Sequence, residues 1–127
     1  MRLDRLTNKF QQAIADAQSL ALGRDHQYIE PIHILHSLLN QENSSIMVLL
    51  HHARVSAPEL RSKISRELEK VPKVTGTAGD IQLSRNSAQA LNLCDKLAQQ
   101  RKDKFITSEV FLLALVEDKG PAGKILK

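Results

Sequence analysis

The sequence predicts an all-α fold made of two pseudo-symmetric repeats of a short helical bundle, joined by a Pro/Gly/Thr-rich linker. Three observations predict it. Hydrophobic residues make up 42% of the 127 but aromatics only 3%, so the core must come from Leu, Ile and Ala, side chains that suit helices better than strands. Apolar residues recur at three- and four-residue spacings rather than alternating. The second half also repeats the first without gaps at an offset of 77 residues: ten of the 45 pairs between 6–50 and 83–127 are identical, where unrelated sequences would share roughly three.

The elements follow in order. Helix one spans about Thr7 to Leu22, with Ala13, Ala17, Leu20 and Ala21 on one face. Thr7 is placed to cap it and Gly23 to close it. Helix two starts at Pro31, a good first helical residue, and reaches about Gln41. Helix three starts at Asn43 or Ser44 and ends near Ala53. Helix four opens on Ser56-Ala57-Pro58-Glu59, the spacing of a capping box, and ends at Lys70. The Pro-, Gly- and Thr-rich stretch from Val71 to Asp80 then breaks the pattern. In the second copy, helices are expected at about 84–101 and 108–118, and Pro121 begins a further one. The expected organisation is a single domain over 1–127: repeat one about 3–70, linker about 71–82, and repeat two about 83–127, cut short. That length can bury a core without disulfides or metals.

Composition removes several classes of function. The net charge is +4, but Lys and Arg are mixed with acids, as in Arg66-Glu67-Leu68-Glu69-Lys70, and no aromatics interleave with them. That describes a solvated surface and disfavours nucleic acid as a partner. Cys94 is the only cysteine and sits among Leu91, Leu97 and Ala98, so it reads as a small core hydrophobe rather than a nucleophile. The longest apolar run, Val110 to Val116, is far too short to span a bilayer. No membrane partner and a cytoplasmic location are therefore expected.

The chemistry-bearing motifs fail on inspection. Around Gly123-Lys124, Asp118 stands where a Walker A loop needs its first glycine, and Ile125 where it needs Ser or Thr. His33 and His36 share a helix, but no cysteine or carboxylate accompanies them and their repeat mates are Val110 and Leu113. They read as surface or partly buried histidines rather than zinc ligands. No catalytic residue, metal site or cofactor is expected in this chain, which leaves a binding surface.

The duplication suggests where that surface lies. Positions apolar in both copies mark core, while positions apolar in one copy are free for something else. In helix two of the second copy, Val110, Leu113 and Ala114 face His33, His36 and Ser37 in the first. Spaced i, i+3, i+4, they form an extra apolar stripe. On the preceding helix, Leu93 replaces Asp16 and leads to Leu97 four residues on. Leu93, Leu97, Val110 and Leu113 are thus expected to line an apolar groove, unless the second copy packs against the first or the linker and hides them. Near-complete burial of Leu93 and Val110 would favour that second case. Thr7, Asp103 and Glu109 border the region, and each also has a sufficient local explanation.

The segments Met1–Phe10, Ala15–Gly23, Leu91–Ala98 and Phe105–Glu109 together resemble the N-terminal domains of the ClpB-type disaggregases, a branch of the Clp AAA+ ATPases. The resemblance covers essentially the whole chain. It implies a mobile module that engages unfolded or aggregated polypeptide for a hexameric heat-shock ATPase working with the DnaK system. It implies substrate-handling roles for Leu93, Leu97 and Val110, and for Thr7, Asp103 and Glu109; Leu113 rests on the repeat comparison alone. ATP and Mg would belong to ATPase modules that this chain lacks, and the isolated domain is expected to be a monomer. An adaptor-docking N-terminal domain of a protease-linked Clp ATPase is the main alternative.

Overall fold

The computed structural model describes residues 6–41, 45–71, 81–103 and 105–116. Helix α1 (Asn8–Gly23) starts where Thr7 caps it, the hydroxyl accepting a hydrogen bond from the Phe10 amide at 3.3 Å. Strand β1 (Tyr28–Ile29) and helix α2 (Pro31–Leu39) follow, then α3 (Ser45–His52) and α4 (Ala57–Lys70), the last capped by Ser56. Strand β2 (Gln82–Leu83) leads into α5 (Arg85–Gln100), capped by Ser84, and then α6 (Ser108–Val116). Among the described residues the fold is helical, as expected, apart from these two short strands. The helix bounds agree with the expected ones to within a few residues. The anticipated helix at Pro121, the Gly120–Lys124 stretch and most of the linker lie outside the described residues.

Three local expectations need correction. Gly23 does not close α1. The chain turns at Asp25, in the left-handed region at φ 59, with the Asp25 amide donating to Leu22 O and the His26 amide to Ala21 O. The same paired closure ends α5 through Lys102 (φ 61) and α3 through Arg54 (φ 60). Left-handed backbone costs a residue with a Cβ about 1–2 kcal/mol relative to glycine. Arg54→Gly and Lys102→Gly are each expected to stabilise the fold by about 0.5–1 kcal/mol in urea unfolding, once glycine's unfolded-state entropy is offset.

The second correction is that strands exist at all. β1 and β2 pair in parallel, Tyr28 with Gln82 and Ile29 with Leu83, so the last predicted linker residue, Gln82, belongs to a strand. An isolated parallel bridge joins Leu6 to Ile106. The 77-residue offset maps Ile29 onto Ile106 and Leu6 onto Leu83, so these are one pairing seen from each copy. The Ser84 amide donates to Ile29 O, and the Thr7 amide to Ile106 O, both at 3.0 Å. Each repeat's lead-in segment is therefore strapped to the α1–α2-type loop of the other. Neither repeat can satisfy these backbone groups alone.

The third concerns the histidines. His36 is partly buried, as expected, but His33 is fully buried against His26 rather than at the surface or partly buried.

Packing follows the straps. α1 lies on α2 and α5 on α6, with α4 also against α2, while α3 touches α6 and α2 touches α5 across the repeats. The one shared core contains Phe10 of the first copy and Phe111 of the second, with ring centroids 5.2 Å apart.

Candidate functional site

α6 is apolar almost all round, and such a helix belongs inside. Val110, Phe111, Leu112, Ala114 and Leu115 are buried, while Leu113, at 48% exposure, reaches solvent. The expected stripe of Val110, Leu113 and Ala114 is thus split. Val110 is 2% exposed because α6 is covered by α5 and by α3 of the other repeat. It does not line an open groove in this arrangement.

On α5, Leu93 and Leu97 are partly buried and lean on the core. Leu97 shares that state with its repeat mate Leu20, whereas Leu93 stands where the first copy exposes Asp16. The apolar side chains special to the second copy that are not buried are therefore Leu93 and Leu113, on two helices packed together, and Leu97 follows Leu93 one turn along α5. Two shallow recesses, of about 500 Å³ (Tyr28, Glu30, Ser84, Arg85, Asn86) and about 390 Å³ (Asn8, Lys9, Gln12, Gln41), include none of these leucines.

Thr7, Asp103 and Glu109 each lie within three residues, along the chain, of a partner in the Leu6–Ile106 bridge. Thr7 caps α1 and donates its amide to Ile106 O. Asp103 and Glu109 each lie three residues from Ile106, within about 10 Å of it even along extended chain. The Asp103 amide closes α5 onto Ala98 O, and its carboxylate accepts from Arg101 Nε at 3.2 Å on an exposed edge. Glu109 sits in the first turn of α6, where a carboxylate complements the helix dipole. Thr7, Asp103 and Glu109 are each half-buried.

Cys94 is buried, and loss of hydration pushes its thiol up to about 12, which leaves no thiolate at neutral pH. Among the described residues no three His, Cys, Asp or Glu side chains group to hold a metal ion, and no helix is long and apolar enough to cross a membrane.

The sequence reading missed the His26–His33 pair. His26 Nδ1 lies 2.7 Å from His33 Nε2, both side chains wholly buried. The signal was present: His33 aligns with Val110, a core position, amid apolar neighbours. His36, one turn on, keeps partial exposure, and its pKa is lowered by burial, then by Arg24 and Arg61.

Comparison with known proteins agrees with this fold. The Clp repeat (R) N-terminal domain family matches residues 5–127. Chaperone protein ClpB of Vibrio vulnificus (strain YJ016) is 58% identical over 127 residues, all of this chain and 15% of that protein. The ClpB of Pseudomonas putida is 47% identical over 126 residues, 99% of this chain and again 15% of that protein. Among solved structures, the Hsp104 N-terminal domain from Candida albicans superposes with a TM-score of 0.85 at 26% identity, covering 94% of this chain and 78% of that one. The N-terminal domain of the ClpV1 ATPase from E. coli shares the fold, with a TM-score of 0.86 at 24% identity, covering 98% of this chain and 78% of that one. The chain spans about 15% of the length of the ClpB proteins it matches, and the match lies in their N-terminal region. It belongs to the Clp repeat N-terminal domain family and corresponds to the N-terminal module of a Clp ATPase.

Proposed function

We propose that this chain is the substrate-engaging module of a ClpB-type, ATP-driven protein disaggregase. The observation that carries the reading is 58% identity to ClpB across every residue of the chain. Its role is binding. ATP, Mg, ring assembly into a hexamer and cooperation with the DnaK system belong to the rest of such a protein, which acts in the cytoplasm.

In this reading unfolded or aggregated polypeptide meets the face carrying Leu93, Leu97 and Leu113, with Thr7, Asp103 and Glu109 at its polar border. Val110 supports that face from inside α6 and touches substrate only if the helix shifts. A small, partly apolar face gives weak, permissive contacts, which suits a module present in several copies on a ring. Adaptor docking is a second reading, favoured by a solved complex of a ClpV N-domain with a VipB peptide.

The test is an NMR titration with reduced, carboxymethylated α-lactalbumin, which cannot fold. Shifts are expected to cluster at Leu93, Leu97 and Leu113, with Asp103 and Glu109 next. Leu113→Ser removes a half-exposed apolar side chain, worth about 1 kcal/mol of burial, and is expected to weaken binding about fivefold without unfolding the domain. Shifts confined to the His33–His36 side overturn the assignment of the face. Absence of binding to unfolded chains, with binding to a folded adaptor, favours the second reading.

A further inference from the structure

We infer that the buried His26–His33 pair is an acid-sensitive latch holding the α1–α2 loop of the first repeat against the second repeat. The Glu30 amide donates to His33 Nδ1 at 2.8 Å, which leaves that nitrogen without a proton. A neutral His33 therefore carries its proton on Nε2 and donates it to His26 Nδ1 at 2.7 Å. His26 in turn must be the Nε2–H tautomer. Each ring thus has a defined donor and acceptor, and a proton added to either one sets two donors face to face. The pair holds only while both rings are neutral.

What it holds is the segment that crosses to the other repeat. His26 ends the closure of α1 through its amide bond to Ala21 O, and His33 sits in the first turn of α2, bound to the backbone of Glu30. Between them lies Ile29, whose carbonyl accepts from the Ser84 amide at 3.0 Å and from Ser87 Oγ at 2.6 Å. Ser84 caps α5 and Ser87 lies within it. Protonation of the pair therefore releases the strap on α5, the helix that carries Leu93 and Leu97. Any effect on polypeptide capture rests on the reading above; the latch itself does not.

The charges around the pair reinforce its preference for neutrality. Arg24, at the end of α1, and His36, one turn on in α2, act on His33, and Arg61 of α4 acts on His36. Asp25 is exposed, and Glu30 caps α2 at the pair's edge. In the second repeat the equivalent positions are Asp103, which meets Arg101, and the apolar Val110. The matching strap there, Thr7 amide to Ile106 O, has no histidine and provides an internal control.

The experiment is amide hydrogen exchange on this chain. Between about pH 7.5 and about pH 5, the Ser84 protection factor is expected to fall at least tenfold relative to that of Thr7, because a histidine's ordinary pKa lies inside this range. The double substitution H26D/H33V, which copies the second repeat, is expected to hold the ratio constant. Equal loss at both straps, or an unchanged ratio in the unsubstituted chain, overturns the latch. Nitrogen-15 imidazole spectra give an independent check that needs no variant. At neutral pH both His26 and His33 should be Nε2–H tautomers, and an Nδ1–H tautomer at either one refutes the proposal.

Discussion

Phe10→Ala is expected to destabilise the domain by about 3–5 kcal/mol, the range for removing a buried aromatic side chain. Phe10 is wholly buried, and its ring meets Phe111 at 5.2 Å with the planes tilted by 54°. The contact joins the two repeats. The duplication does not supply it twice, since the mate of Phe10 is Ser87, whose hydroxyl binds Ile29 O instead. Domains of this size are stable by only about 5–15 kcal/mol, so the variant should unfold at much lower urea concentration. Phe105→Ala is the control, because Phe105 is 48% exposed, and it should shift stability by less than about 1 kcal/mol. Both chains should unfold in one transition, since the straps and the Phe10–Phe111 contact put both repeats in one core. Two separated transitions would show that each repeat folds on its own.

The helices were legible because their signals are local. Thr7, Ser56, Pro31 and the apolar spacings each act within a few residues. The straps were not, because the pairing of Leu6 with Ile106 spans the chain and each strand is too short to alternate. Their residues were nonetheless visible: the identities Leu6/Leu83 and Ile29/Ile106 in the repeat alignment are the four residues of the two equivalent bridges. The comparison of copies misled at one position. Val110 against His33 was read as an extra apolar surface in the second copy, yet both positions are core. The difference records a buried polar pair in the first copy instead. At Leu113 against His36, and at Leu93 against Asp16, the same comparison found side chains that do reach toward solvent. A sequence difference between repeats reports unlike environments without saying which copy is exposed.

That buried pair sets the second large effect, a loss of stability in acid. Burial first, and then His26, lowers the His33 pKa from 6.5 to about 4. A backbone carbonyl facing the ring would raise it, but the group facing Nδ1 is the Glu30 amide, a donor, which opposes protonation. A histidine depressed in the folded state binds its proton more readily when unfolded, so stability rises with pH wherever the unfolded chain holds more protons. His33's contribution is complete above about pH 6.5 and is lost as pH falls toward 4, by about 3 kcal/mol in total. His33→Val repeats the residue found at Val110 and removes this slope. It also leaves the Glu30 amide without its acceptor, which costs about 1–3 kcal/mol at neutral pH. The substituted chain should therefore be the less stable at pH 7, and the two stability curves should converge as pH falls toward 4. Urea unfolding at intervals between these limits measures both curves. Parallel curves across that window would mean that the acid sensitivity originates in other groups, such as carboxylates common to both chains.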